Sequence, residues 1–225
     1  VRILVAGLVV ATILRTAFLP VLARLRDSPD ERRLAGAHNA RAATFIGGLA
    51  AAGGFVLAPD ILTVIYGTEF QQATTVLRFL MINLLVANVA EIFHTQLVAW
   101  HLQRQQMLIM FAGAGANIVL NFVAIPRFGM EGAALATIGS TLIVAALSVW
   151  TLRRHNYETH SRAIVGSLLL ACAVGAIGWW IDIPIENALG RLIAIGVGLS
   201  TIYLAAGMAL RIFRPKETLR YFTRP

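Results

Sequence analysis

Three ionisable side chains sit inside runs that are otherwise as apolar as lipid: Arg15, Glu91 and His94. A guanidinium can grip a phosphate through two parallel hydrogen bonds, a carboxylate can neutralise it, and an adjacent imidazole can pass a proton. In hydrocarbon, Arg15 or Glu91 costs about 2.5–3.5 kcal/mol at a helix centre, so neither is expected to face lipid. Arg15 lies nine residues before Arg24 and Glu91 ten before His101. At 1.5 Å per residue both fall about 14–15 Å from the same membrane surface, near the midplane. Depth therefore predicts that they meet, and Asn83, Asn88, Glu91, His94 and Thr95 share an arc of about 140° on one helix. That polar face is either a hydrogen-bond ladder between helices or the wall of a watery cavity. Asn117 and Asn121, four residues apart on a second helix, pose the same alternative.

The elements that carry these residues follow from composition. With 58% apolar residues, 13% charged residues and a mean hydropathy of +0.74, the chain is an all-α integral membrane protein. Seven stretches are long enough to cross a core about 30 Å thick: residues 3–23, 42–65, 76–100, 107–126, 132–152, 163–183 and 191–213. Runs such as VGSLLLACAVGAIGWW are apolar on every side, which excludes the period-two pattern of a barrel. Fourteen of the 19 basic residues fall on alternate connections: the 24–41 loop, Arg104, the 153–162 loop and the tail. The positive-inside bias places those in the cytoplasm, with the C-terminus, in a multi-pass membrane protein. The net charge of +8 is then spent on lipid headgroups, and nucleic acid is not expected as a partner.

Other signals carry less. Cys172 is expected to be a small buried hydrophobe. HNYETH (155–160) lacks metal-ligand spacing, and GAGAN (113–117) follows no strand, so no metal and no cofactor is expected. The four tryptophans, Trp100, Trp150, Trp179 and Trp180, lie towards span ends, where indoles mark the interface. Val1 opens on an apolar run without a basic leader, so the chain is expected to be cut from something longer.

Pro126 is expected to end a span, with Gly129 and Gly132 forming a tight exposed turn before the small residues Ala133, Ala134, Ala136 and Thr137 begin the next. This run from Asn117 to Thr137 resembles the C-terminal half of the polysaccharide flippases, the O-antigen and teichoic-acid exporters of the multidrug/oligosaccharidyl-lipid/polysaccharide transporter superfamily. FLPVLARL (18–25) and VIYGTEF (64–70), with Gly67 and Phe70, agree in order and spacing, and the resemblance covers roughly residues 10–155. It implies that the chain is the C-terminal lobe of a two-lobed bundle of twelve to fourteen helices. Residues 1–153 would form that lobe, and residues 154–225 two additional helices with a basic cytoplasmic tail. It also implies a non-enzymatic function: moving undecaprenyl-diphosphate-linked oligosaccharide to the outer leaflet by alternating access. Partners would be the lipid-linked oligosaccharide, membrane lipids and an N-terminal lobe of the same chain. The motifs mark the fold better than the substrate.

Within that reading Arg15, Glu91, Asn88, Asn117 and Asn121 are candidates for substrate binding, and Glu91 with His94 for ion coupling. A drug or organic-cation antiporter of the same superfamily, expected to have a net acidic cavity, is the main rival, and a membrane assembly subunit the third possibility. A midplane arginine argues against the antiporter, and midplane charge of either sign against the subunit.

Overall fold

The structure is a computed structural model that describes residues 2–25, 28–180, 185, 187–210 and 212, with the side chains of residues 2–11 and 14 not described. The basic tail beyond residue 212 and Arg26 lie outside the described residues. The described residues form seven α-helices and no strand: α1 (Arg2–Arg24), α2 (Pro29–Val56), α3 (Ala58–Tyr66), α4 (Thr74–Ala99), α5 (Gln103–Arg154), α6 (Ser161–Trp180) and α7 (Ala188–Ala209). A 3-10 turn, Thr68–Ala73, leads into α4. Four helices are long and apolar enough to cross a membrane, five if α2 and α3 form one broken span. At 1.5 Å per residue the 52 residues of α5 would reach about 78 Å, over twice the bilayer core, and α5 indeed doubles back. With its two arms and with α1, each of the seven expected spans finds a helix.

The pivot of α5 is Gly129, at φ 55 and ψ −129, a conformation that a side chain would strain. Helix continues past Pro126, so the turn sits three residues beyond the expected end. Gly132 completes it, because a Cβ there would overlap the Ala124 carbonyl of the opposite arm. Asn117 Nδ2 then donates to Ser140 Oγ across the arms at 3.0 Å.

The expected 24–41 loop is mostly helix. Ser28 precedes Pro29 at the first helical position, and Asp30 and Glu31 occupy the first turn, where the helix dipole favours acidic side chains. Arg32, Arg33 and Arg41 therefore ride on α2. At its other end α2 bends by 75° into α3. Pro59 supplies no N–H to the Phe55 carbonyl, which instead accepts from Arg78 Nε at 3.4 Å. The Arg78 guanidinium also lies 4.5 Å from the Trp179 ring.

The two turns at the basic end close the same way. His101 and Asn156 adopt left-handed φ of 60 and 59, with Leu102 N–H bonded to Leu97 O at 2.8 Å and Tyr157 N–H to Leu152 O at 2.9 Å. Trp100 and Tyr157 stack at 4.4 Å beneath Arg32, so Trp100 is buried rather than interfacial. The other three tryptophans are exposed. Cys172 is also exposed, contrary to expectation, because α6 packs inward through Ser167, Leu170, Ala171, Val174 and Gly178. That leaves Cys172 on the outer face.

α4 packs against α1, α2 and α5. Its central position explains why the polar residues on it can reach several neighbours.

Candidate functional site

A cavity of about 510 Å³ opens between α1, α4 and the two arms of α5. Helix α1 contributes Thr12 and Arg15, α4 contributes Glu91 and His94, and the arms of α5 contribute Asn117, Ser140 and Thr141. Small residues make the room: Ala87, Ala90, Gly113 and Ala114 line the same space.

The expected meeting at matched depth takes place. Arg15 Nη1 donates to Glu91 Oε1 at 3.1 Å, with side chains 41% and 26% exposed. His94 Nδ1 lies 3.5 Å from Glu91 Oε2, one helical turn on. His94 Nε2 is buried and has no protein partner among the described residues. The carboxylate thus has a cation on one oxygen and an imidazole on the other, and Arg15 still has donors to offer. A guanidinium with unspent donors beside a polar chamber can bind a phosphate or carboxylate group.

The amides divide. Asn117 lines the cavity, while Asn121 lies off its wall and donates to Asn117 Oδ1 at 2.9 Å and to Asn117 O at 2.8 Å. Asn83 accepts from Thr141 Oγ1 at 2.9 Å, a rung between α4 and the second arm. Asn88 is not in the cavity: it turns away from it, donates to Leu84 O at 2.8 Å, and faces a separate small void. The expected polar face is therefore both things at once, a ladder at Asn83 and a cavity wall at Glu91 and His94. Thr12, Ser140 and Thr141 were missed by the sequence reading. Pairing residues outward from the Gly129 pivot would have set Thr141 opposite Asn117, with Ser140 next to it. Among the described residues no group of His, Cys, Asp and Glu side chains could hold a metal ion.

A second hollow of about 420 Å³ lies between α2, α4 and α6, lined by Phe55, Met81, Leu85, Cys172, Trp179 and neighbouring small residues. No charged or amide side chain lines it.

Comparison with known proteins agrees with this architecture. The profile of the family described as "Lipid II flippase MurJ" matches residues 3–197. The solved structure of the lipid II flippase MurJ in its inward closed conformation superposes with a TM-score of 0.64 at 14% identity, covering 93% of this chain and 47% of that one. Among curated proteins, the uncharacterized membrane protein YabM of Bacillus subtilis (strain 168) is 33% identical over 117 residues, 47% of this chain and 22% of that protein. The uncharacterized membrane protein MJ1068 of Methanocaldococcus jannaschii is 27% identical over 113 residues, 48% and 22% respectively. The matched segment spans about a fifth of each of these relatives. Fold, span pattern and profile converge: this multi-pass membrane protein belongs to the lipid II flippase MurJ family.

Proposed function

We propose that this chain supplies the C-terminal lobe of a flippase for undecaprenyl-diphosphate-linked glycans in a bacterial cytoplasmic membrane, and that Arg15 receives the diphosphate. The observation that carries the reading is the Arg15–Glu91 pair, half-exposed on a 510 Å³ polar cavity deep within the helices. A diphosphate-sugar head cannot cross hydrocarbon, whereas its polyprenyl tail never needs to leave it. Arg15 pairs with Glu91 while the cavity is empty and with phosphate when it is loaded. Asn117 and Ser140 then offer hydrogen bonds to sugar hydroxyls. The family description favours a lipid II-like cargo over the O-antigen and teichoic-acid repeats of its superfamily relatives.

The mechanism needs no covalent step. Alternating access moves the head, and the membrane potential favours export: about 2.3 kcal/mol per charge at 100 mV gives roughly 4.6 kcal/mol for two negative charges. With the basic connections in the cytoplasm, the C-terminus lies there too. Glu91 and His94 stand side by side on the cavity wall, where an ion coupled to translocation would be bound.

The test uses the full-length protein in proteoliposomes carrying lipid II. Arg15→Ala is expected to abolish translocation with the protein still inserted, and Arg15→Lys to restore only part of it, because a point charge cannot match the fork. A native rate for Arg15→Ala would make the assignment wrong.

A further inference from the structure

The Arg15–Glu91 pair also borders a second, small void of about 10 Å³ lined by Arg15, Asn39, Asn88, Glu91 and Thr95 with two apolar neighbours. The pair thus touches both the large cavity and this void. Asn39 on α2 is 2% exposed and Asn88 on α4 is 1% exposed. Asn39 Nδ2 and Asn88 Oδ1 are buried without a protein partner among the described residues. One is a donor and the other an acceptor, and such groups are costly to bury unpaired. Two orphans of opposite sense facing one void are an arrangement that a ligand must complete.

We infer that Asn39 and Asn88 hold one internal water against Glu91, and that this water keeps the carboxylate solvated when Arg15 turns to an anionic ligand. The void is about the size swept by one water, and a buried water typically makes about three hydrogen bonds. Here the count closes. The water accepts from Asn39 Nδ2, donates one hydrogen to Asn88 Oδ1 and the other to the Glu91 carboxylate. A carboxylate has about four lone-pair sites; Arg15 occupies one, and His94 Nδ1 stands 3.5 Å from the other oxygen. Thr95, whose hydroxyl is bonded to the Glu91 carbonyl at 2.8 Å, fixes the backbone at that turn.

The consequence is a lower cost for releasing Arg15. Without a standby donor, loading the cavity would leave the Glu91 carboxylate one hydrogen bond short; with it, Glu91 changes partners instead of losing one. Asn39 is therefore a positioning residue acting through Glu91, and it ties α2 to an event on α1 and α4. This rests on the exchange proposed for Arg15.

The test is a double-mutant cycle in the full-length protein with lipid II as the probe, reading translocation per inserted molecule. Asn39→Leu is expected to slow translocation about tenfold at normal abundance, since the interaction lost is of the size such cycles resolve. Asn39→Ser, which keeps a donor, is expected to retain more than half the native rate. Adding Asn39→Leu to Glu91→Gln is expected to slow that variant no further, because a neutral amide needs no standby donor. Independent losses that multiply, or a native rate for Asn39→Leu, would overturn the inference while leaving a dead Arg15→Ala, and so the flippase reading, intact. A native rate for Arg15→Ala would overturn both. A high-resolution experimental structure with no water bonded to Asn39 and Asn88 would overturn the inference whatever the rates.

Discussion

Two arginine–carboxylate pairs join helices in this protein, and they are built to opposite ends. Arg191 on α7 sets Nε and Nη2 on one oxygen of Asp60 at 2.8 and 2.5 Å, with the Asp60 side chain only 4% exposed. Arg15 meets Glu91 through a single contact of 3.1 Å, and both side chains face a cavity. The first is a clasp between the bent α2–α3 segment and the last described helix. The second is weakly tied and reachable from the cavity. Residue types alone do not separate a structural pair from a working one; the number of donors spent and the space beside them do.

The largest expected effect follows from that contrast. Arg15→Ala should abolish lipid II translocation at near-normal abundance, while Asp60→Asn should leave the rate per inserted molecule within about twofold. Stability should move the other way. Asp60→Ala removes the clasp, and removing one partner of a buried pair costs about 3–5 kcal/mol, here towards the lower end because Arg191 is 38% exposed. Thermal unfolding in detergent measures it. If Asp60→Ala unfolds with native stability but does not translocate, the two pairs have been assigned to the wrong roles.

A subtler effect separates the two hollows, which are similar in size but differ in that only the first is lined by charged and amide side chains. Cys172 is a built-in probe of the apolar one, where lipid chains should keep out a water-soluble reagent. In a Cys172→Ala background, Ala114→Cys places a thiol in the polar cavity. A membrane-impermeant maleimide should label the cysteine at position 114 at least about tenfold faster than native Cys172, because the thiolate needs water. Equal rates would mean that the 510 Å³ space is as dry as its neighbour.

The parts of this arrangement legible in the sequence are those with strong local signals. Span positions follow from hydropathy, the α5 turn from Gly129 and Gly132, and the Arg15–Glu91 contact from counting residues to a common surface. Asn39 and the start of α2 were not legible, because five arginines between 24 and 41 read as a loop although Ser28, Pro29, Asp30 and Glu31 spell a helix start. Asn88 was misplaced for a different reason. A 140° arc is wide enough for its ends to face different helices, and only packing shows that Glu91 looks into the cavity while Asn88 looks behind it. Gln96, outside that arc, is fully buried with neither amide atom paired to protein, and periodicity gave no sign of it.

The smallest expected effect comes from a third charged cluster, outside the spans. His160 sits at the start of α6, packed against Gly36 on α2, and its pKa is lowered to about 4, by burial first and then by Arg33 and Arg41. Arg33 is itself paired with Glu158 at 3.1 Å, so the loop is held to α2 by one ion pair and one neutral ring. In the unfolded chain His160 titrates near its ordinary 6.5. Between pH 6.5 and about 4 the unfolded state therefore binds a proton that the folded state refuses, and stability falls as pH falls through that window. Above 6.5 the ring is neutral in both states and contributes no slope; below about 4 it is charged in both and the loss is complete. The slope is at most about 1.4 kcal/mol per pH unit. Other groups titrate in the same range, so the informative quantity is the difference between the native protein and His160→Gln. The substitution should flatten the fall in melting temperature between pH 6.5 and 4 even if it lowers stability at pH 7 through lost packing on Gly36. An unchanged slope would mean that His160 is protonated in the folded protein, and that the contact between α2 and the start of α6 tolerates a third cation beside Arg33 and Arg41.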